Sequence, residues 1–275
     1  MNVICLIGTS RCGSTVLQAA LSQFADVTAL GEVKRLAALA LRRAPCACGD
    51  PIPDCEVWGP RAPDFVAPPG GHLRMLVNAM AVATGRSLLP SEASAATSLR
   101  DMLQSIGNQI PTRVFVDSSK DPDQLLLYAA SPDINVVPVH IVRDPRGVAQ
   151  SADRRTGTTA AVMTRHWYKL NAATMVLRKM TPRLPWQTIR YEDFCAAPAA
   201  ICQSILRAAG HDGAMRAEPA KDHTLGGSPG FSFAGINTIR LEDKWRTTMP
   251  QTMQAEILRQ SGWPARHFGY RLSGG

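Results

Sequence analysis

Four runs of the chain are β-rich over the length of a buried strand and end on polar loop residues: Val3 to Ile7, Arg113 to Asp117, Val136 to Val142 and Gln187 to Tyr191. Continuous rather than alternating hydrophobicity is the pattern of strands covered on both faces, as in a parallel sheet. After the first run the period changes, and Leu17, Ala20, Leu21 and Phe24 recur at i, i+3, i+4 and i+7. That is the stripe of a helix with one buried face. After the third run Asp144 reads as an N-cap and Pro145 as a first-turn residue. Strand and helix in alternation predict an α/β fold, a doubly wound parallel sheet flanked by helices, with ligands at the carboxyl ends of the strands.

The alternation is interrupted once. Helical patterns over Glu32 to Arg43 and Ser91 to Ile110 bracket residues 44–71, which hold seven of the twenty prolines and four glycines and read as loop. Residues 44–110 are therefore expected to form a cap on the acceptor side of the sheet, inserted after the first strand–helix unit. There is no internal repeat and no second-domain boundary, so a single domain over 1–275 is expected.

Composition narrows the class. The 275 residues are 45% hydrophobic and 19% charged, too apolar for a disordered chain, and the net charge of +8 favours anionic ligands. The basic residues are spread in isolated pairs, so no nucleic-acid partner is expected. No charged segment precedes the first apolar run and no stretch has the length of a bilayer span, which predicts a cytoplasmic protein with no membrane span. Seven scattered cysteines do not form the even framework of a secreted disulfide scaffold.

Chemistry concentrates at two strand ends. Behind the first strand stands GTSRCGST, Gly8 to Thr15, with the glycine spacing of a Walker phosphate loop but with Ser14 where that loop carries lysine. Its backbone N–H groups and the helix dipole behind them suit a phosphate, and Arg11 adds a guanidinium fork able to hold two oxygens. Ser14 and Thr15 add hydroxyl donors. Behind the third strand, VRDPRGVAQSADRR places Arg143 at the strand end, with Ser151 and Arg155 one turn apart on one helix face. This arrangement suits a second anion.

The pairing of R-x-G-S-T with R-D-P-R-x-V-x-x-S resembles the sulfotransferases that use 3′-phosphoadenosine-5′-phosphosulfate, in both spacing and order. VDSSKDP (Val116 to Pro122), RYEDF (Arg190 to Phe194), LEDKW (Leu241 to Trp245) and FGY (Phe268 to Tyr270) resemble further segments of the bacterial branch and of the tyrosylprotein sulfotransferases. The resemblance implies that Arg11, Cys12, Gly13, Ser14 and Thr15 hold the 5′-phosphosulfate of this co-substrate. It also implies that Arg143, Ser151 and Arg155 hold the 3′-phosphate, and that Tyr191 and Lys244 complete the pocket. Arg11 would stabilise the leaving phosphate and Lys120 would be a second cation near the sulfonate, with no metal required. Gly31-Glu32 falls where a Gly-Glu pair follows the first helix in the tyrosylprotein enzymes, so Glu32 is the expected general base, helped by burial that raises its pKa. The acceptor would be a small molecule, glycan or peptide, presenting a hydroxyl or an amine.

Other readings stay open on the residues alone. VFVDSS, Val114 to Ser119, also resembles a Walker B strand, and a P-loop kinase or NTPase would use Asp117 on Mg²⁺. His140 inside an apolar strand reads as a core histidine, with His166 a reserve base. Cys46, Cys48 and Cys55 supply three soft ligands without an obvious fourth, since His72 is distant; they are read as reduced thiols in the cap, with a metal-tied or stapled loop as the alternative. Cys12 is expected to make the donor loop sensitive to alkylation. The segment HTLGGSPGFSF, His223 to Phe233, resembles a family loop that often carries an arginine, which is missing here.

Overall fold

A computed structural model describes residues 1–67, 71–218, 220–227 and 233–271. Five parallel strands form its centre: β1 (Asn2–Ile7), β2 (Val27–Gly31), β3 (Val114–Asp117), β4 (Asn135–Val142) and β5 (Gln187–Arg190), in the order β2-β3-β1-β4-β5. The four expected strands are present to within a residue or so at each end. β2 was not expected: its Val-Thr-Ala-Leu-Gly run is short, half-exposed at two positions and lies on the sheet edge. The predicted helix over Glu32 to Arg43 starts later and breaks in two, a 3₁₀ turn at Val33–Arg35 followed by α2.

The helices are α1 (Ser14–Leu21), α2 (Leu36–Leu41), α3 (His72–Thr84), α4 (Pro90–Gln109), α5 (Pro122–Ala130), α6 (Pro145–Thr156), α7 (Ala160–Met180), α8 (Tyr191–Ala196), α9 (Pro198–Ala208), α10 (Trp245–Thr248), α11 (Gln251–Gln260) and α12 (Gly262–His267). Alternate residues of each strand go to opposite layers. Ile4, Leu6, Val116, Val139 and Ile141 pack with Leu17, Leu21, Phe24 and Ile205, which places α1 and α9 on one face. Val3, Cys5, Ile7 and Phe115 pack with Leu99, Leu103, Leu125 and Tyr128 on the other. Residues of the 44–110 insert, among them Trp58, Phe65 and Ala79, belong to this second cluster. The insert thus supplies much of one helical layer, and its α3, which was not expected, starts directly after the proline-rich loop.

The caps follow the local chemistry. The Asp144 carboxylate accepts from the Arg146 N–H at 2.9 Å behind Pro145, and Asp121 does the same for Asp123 and Gln124 behind Pro122.

A late segment braces β2. Leu225 N–H donates to Leu30 O at 2.9 Å and Glu32 N–H donates to Leu225 O at 2.8 Å, so Leu225 lies beside Gly31 as a one-residue parallel bridge. Gly31 has φ +83°, and a Cβ there would stand 2.2 Å from Leu225 O. Gly31→Ala is expected to lower stability by at least about 1–3 kcal/mol, from the backbone strain alone, and Tm by several degrees. An unchanged Tm in thermal unfolding would refute the seating of Leu225 on β2.

Candidate active site

Each strand delivers one candidate side chain at its carboxyl end. Read along the sheet, these are Glu32 after β2, Lys120 after β3, Arg11 after β1, Arg143 after β4 and Tyr191 after β5. The row joins segments up to 180 residues apart in the chain because parallel strands all point the same way.

At the β1/β4/β5 end, Arg11, Gly13, Ser14, Thr15, Arg143, Ser151, Arg155, Tyr191 and Glu242 line a common pocket of about 110 Å³. The Arg143 guanidinium donates to Arg11 O at 3.2 Å and Glu242 O at 2.8 Å, and lies 4.5 Å over the Tyr191 ring. The Tyr191 ring in turn sits on the Gly13 Cα: a Cβ at that position, where φ is +100°, would be 2.3 Å from Tyr191 Cδ2. Burial, and then the charges of Arg155 and Arg143, pull the Arg11 pKa below its usual range. Guanidiniums that disfavour one another at one spot are set up for an anion.

At the β2/β3 end, Glu32 Oε1 accepts from Lys120 Nζ at 2.8 Å and Oε2 accepts from Arg35 Nη1 at 2.8 Å. Lys120 also donates to Ser118 O at 2.8 Å. The expected direction of the Glu32 pKa needs correction. Burial does push it up, but the Lys120 charge and the hydrogen bonds from Arg35 and Lys120 together outweigh burial, and the carboxyl titrates below the usual glutamate range. Arg11 and Lys120 both occupy the left-handed region, at φ 66° and 60°. Non-glycine residues there cost about 1–3 kcal/mol and cluster at functional sites.

Other sequence-singled residues fall elsewhere. Cys12 is fully buried in the core beneath the loop, and burial raises its pKa, so the expected sensitivity to alkylation is corrected: the thiol is inaccessible and poorly ionised. Lys244 is exposed just before α10, and Glu242 is the member of LEDKW that lines the pocket, its carboxylate paired with Arg154. Glu242 carries no signal along the chain, because a carboxylate is not an expected wall of an anion site. The arginine-poor segment from His223 falls partly at 228–232, outside the described residues, while its first part carries Leu225.

Asp117 is fully buried. It accepts from Ser119 N–H at 2.7 Å and from the Tyr128 hydroxyl at 2.7 Å, and Gln124 Nε2 donates to it as well. Burial raises its pKa despite these donors. A Mg²⁺ on Asp117 would have to displace this network, so the carboxylate acts as the anchor of the β3 end. His140 is a core histidine, hydrogen-bonded to Asn171 Oδ1 at 2.8 Å and kept neutral by burial, with a pKa of about 4. His166 stands exposed on α7. Two of the quoted motifs meet away from the pocket: Glu192 of RYEDF accepts from Asp144 N–H and from the Tyr270 hydroxyl of FGY, both at 2.9 Å. Among the described residues no helix is long and apolar enough to cross a membrane.

Comparison with known proteins gives the family and the fold. A family model described as "Sulfotransferase family" matches residues 4–213. Among solved structures, the chain is similar to the sulfotransferase domain from the Synechococcus PCC 7002 olefin synthase, at 19% identity and TM-score 0.60, covering 99% of this chain and 96% of that one. It is also similar to the sulfotransferase domain from the curacin biosynthetic pathway, at 17% identity and TM-score 0.54, covering 99% of both chains. Both likenesses are of fold. No curated protein sequence matches. With a family model spanning most of its length and the α/β architecture of these two domains, the chain belongs to the sulfotransferase family.

Proposed function

We propose that the domain formed by residues 1–275 moves a sulfuryl group in line from 3′-phosphoadenosine-5′-phosphosulfate to a hydroxyl or amine of a small-molecule, glycan or peptide acceptor. One observation supports the reading: along the carboxyl ends of the strands, Arg11, Arg143 and Arg155 line one pocket while the ion-paired carboxylate Glu32 stands toward β2. Ser14, Thr15 and the loop backbone hold the 5′-phosphate, while Arg143, Ser151 and Arg155 hold the 3′-phosphate that distinguishes this donor from ATP. The transferred SO₃ leaves a phosphate oxygen and bonds to the acceptor oxygen or nitrogen, whose proton passes to Glu32. Arg11 stabilises the charge that gathers on the departing phosphate, and Lys120 offers a second cation to the sulfonate oxygens. The two roles of Lys120 are coupled: once its ammonium turns to the sulfonate, Glu32 loses a partner that depresses its pKa and becomes a better base. The cations of this reading are side chains, so it calls for no metal.

Calorimetry tests the donor. Adenosine 3′,5′-bisphosphate is expected to bind tightly without Mg²⁺, and Arg143→Ala to weaken it by about ten- to a hundredfold, the loss of a charge-assisted pair. Binding of ATP that requires Mg²⁺, with none of the bisphosphate, would overturn the assignment. Mass spectrometry for added SO₃ after incubating donor, protein and a metabolite extract identifies the acceptor class.

A further inference from the structure

Outside the donor site, one cluster of soft ligands has no part in sulfuryl transfer. Cys46, Cys48 and Cys55 of the insert meet His223, a residue 168 positions from Cys55 in the chain. Their ligand atoms all lie within 4.8 Å of one another. We propose that these four side chains form a structural Zn²⁺ site, tetrahedral and closed, that fastens the insert to the segment bracing Glu32.

The distances carry the assignment. Cys55 Sγ is 3.7 Å from both Cys46 Sγ and Cys48 Sγ. A disulfide would need about 2.05 Å. Thiolates bound to one zinc at about 2.3 Å in tetrahedral array are about 3.8 Å apart. His223 Nδ1 is 3.3 Å from Cys55 Sγ, close to what an imidazole in the fourth position requires. All three cysteines are free thiols, and Cys46, Cys55 and His223 are buried.

The surroundings orient the ligands as such a site needs. His223 Nε2 is 3.3 Å from Glu56 Oε1, which also accepts from Lys221 Nζ at 2.7 Å. A carboxylate on the far ring nitrogen holds the proton there and leaves the Nδ1 lone pair facing the sulfurs, the carboxylate–histidine–metal pattern. Trp58 Nε1 donates to His223 O, and Gly49 N–H donates to Cys46 O at 3.0 Å, closing the turn that brings Cys48 beside Cys46. Three thiolates and one imidazole in a tetrahedron select zinc among the common divalent ions.

The site has a mechanical consequence. His223 is two residues before Leu225, whose carbonyl holds the Glu32 N–H. Metal binding here would therefore tie the insert to the backbone that carries the candidate base. This holds whether or not the sulfuryl-transfer reading does.

The test is metal content. Protein purified under reducing conditions without added metal should contain about one zinc per chain. After removal of zinc by a chelator, Co²⁺ should give the visible bands of a tetrahedral ion and thiolate-to-metal charge transfer. Chelation should also lower Tm. Cys48→Ser, at the half-buried ligand and so the variant best able to fold, should weaken Co²⁺ binding at least about tenfold; His223→Asn should do the same. Folded, reduced protein that binds neither zinc nor Co²⁺, binding unchanged in Cys48→Ser, or a disulfide between two of the three cysteines would each overturn the proposal.

Discussion

Replacing Arg11 by Ala should lower kcat by roughly 10²- to 10³-fold, the range for loss of one preorganised donor at a developing oxyanion, while the affinity for adenosine 3′,5′-bisphosphate changes less than about tenfold. The asymmetry follows from where the guanidinium stands. It belongs to the loop after β1, facing the Arg143 and Arg155 charges that depress its own pKa. In the ground state its removal costs contacts to the donor but relieves repulsion among three cations, and the two effects partly cancel. In the proposed reaction negative charge builds on the leaving phosphate as the sulfuryl group departs, and the guanidinium, the one cationic side chain of the loop Gly8 to Thr15, gains attraction there. The loop itself should survive the substitution, since what Arg143 holds is the Arg11 carbonyl, which alanine retains. Steady-state kinetics alongside calorimetry separates the two quantities. Equal losses in kcat and in affinity would make Arg11 a binding residue only.

The second large effect concerns Glu32 and Lys120. Glu32→Gln should reduce kcat by about 10²- to 10⁴-fold, the contribution of a positioned base, in a protein that still folds but melts somewhat lower, because the pairs with Lys120 and Arg35 are lost. Because the Lys120 charge and the Arg35 and Lys120 hydrogen bonds hold the carboxyl below its usual range against the opposing pull of burial, it is ionised throughout the neutral region. The acid limb of kcat/KM should therefore lie below the ordinary glutamate range. Lys120→Met removes one of the opposing charges and leaves the burial, so the Glu32 pKa rises. The base is then protonated at higher pH, and the acid limb must move upward. A limb that stays in place in Lys120→Met would show that Glu32 is not the titrating group, even if Glu32→Gln were inactive.

Much of the architecture was legible along the chain because it is encoded locally. Continuous apolar runs reveal β1, β3, β4 and β5, since a strand buried on both faces has no polar side to hide. The edge strand β2 lacks that signature: Thr28 and Ala29 are half-exposed, and its last residues run into a helical pattern. The α3 helix was obscured by the proline-rich loop before it, and the Glu32 to Arg43 pattern masked a 3₁₀ turn. In the site, Arg11, Ser14, Thr15, Arg143 and Ser151 line one pocket. Lys244 does not line that pocket and Glu242 does, a choice made by the turn before α10 rather than by residue type.

What the sequence by itself determined is four of the five strands, the helices after β1 and β4 and the glycine-rich loop between β1 and α1, because hydrophobic period, glycine spacing and caps act over a few residues. What only the tertiary structure decided are the pairings across the chain: Lys120 on Glu32 over 88 residues, Tyr191 on Gly13, and His223 beside Cys55 over 168 residues. The first two depend on the strand order β2-β3-β1-β4-β5, which brings five loop ends into one row. No local pattern carries that order. The depressed Glu32 pKa follows from it, whereas His223 reaches the cysteines through the segment that Leu225 bridges to β2.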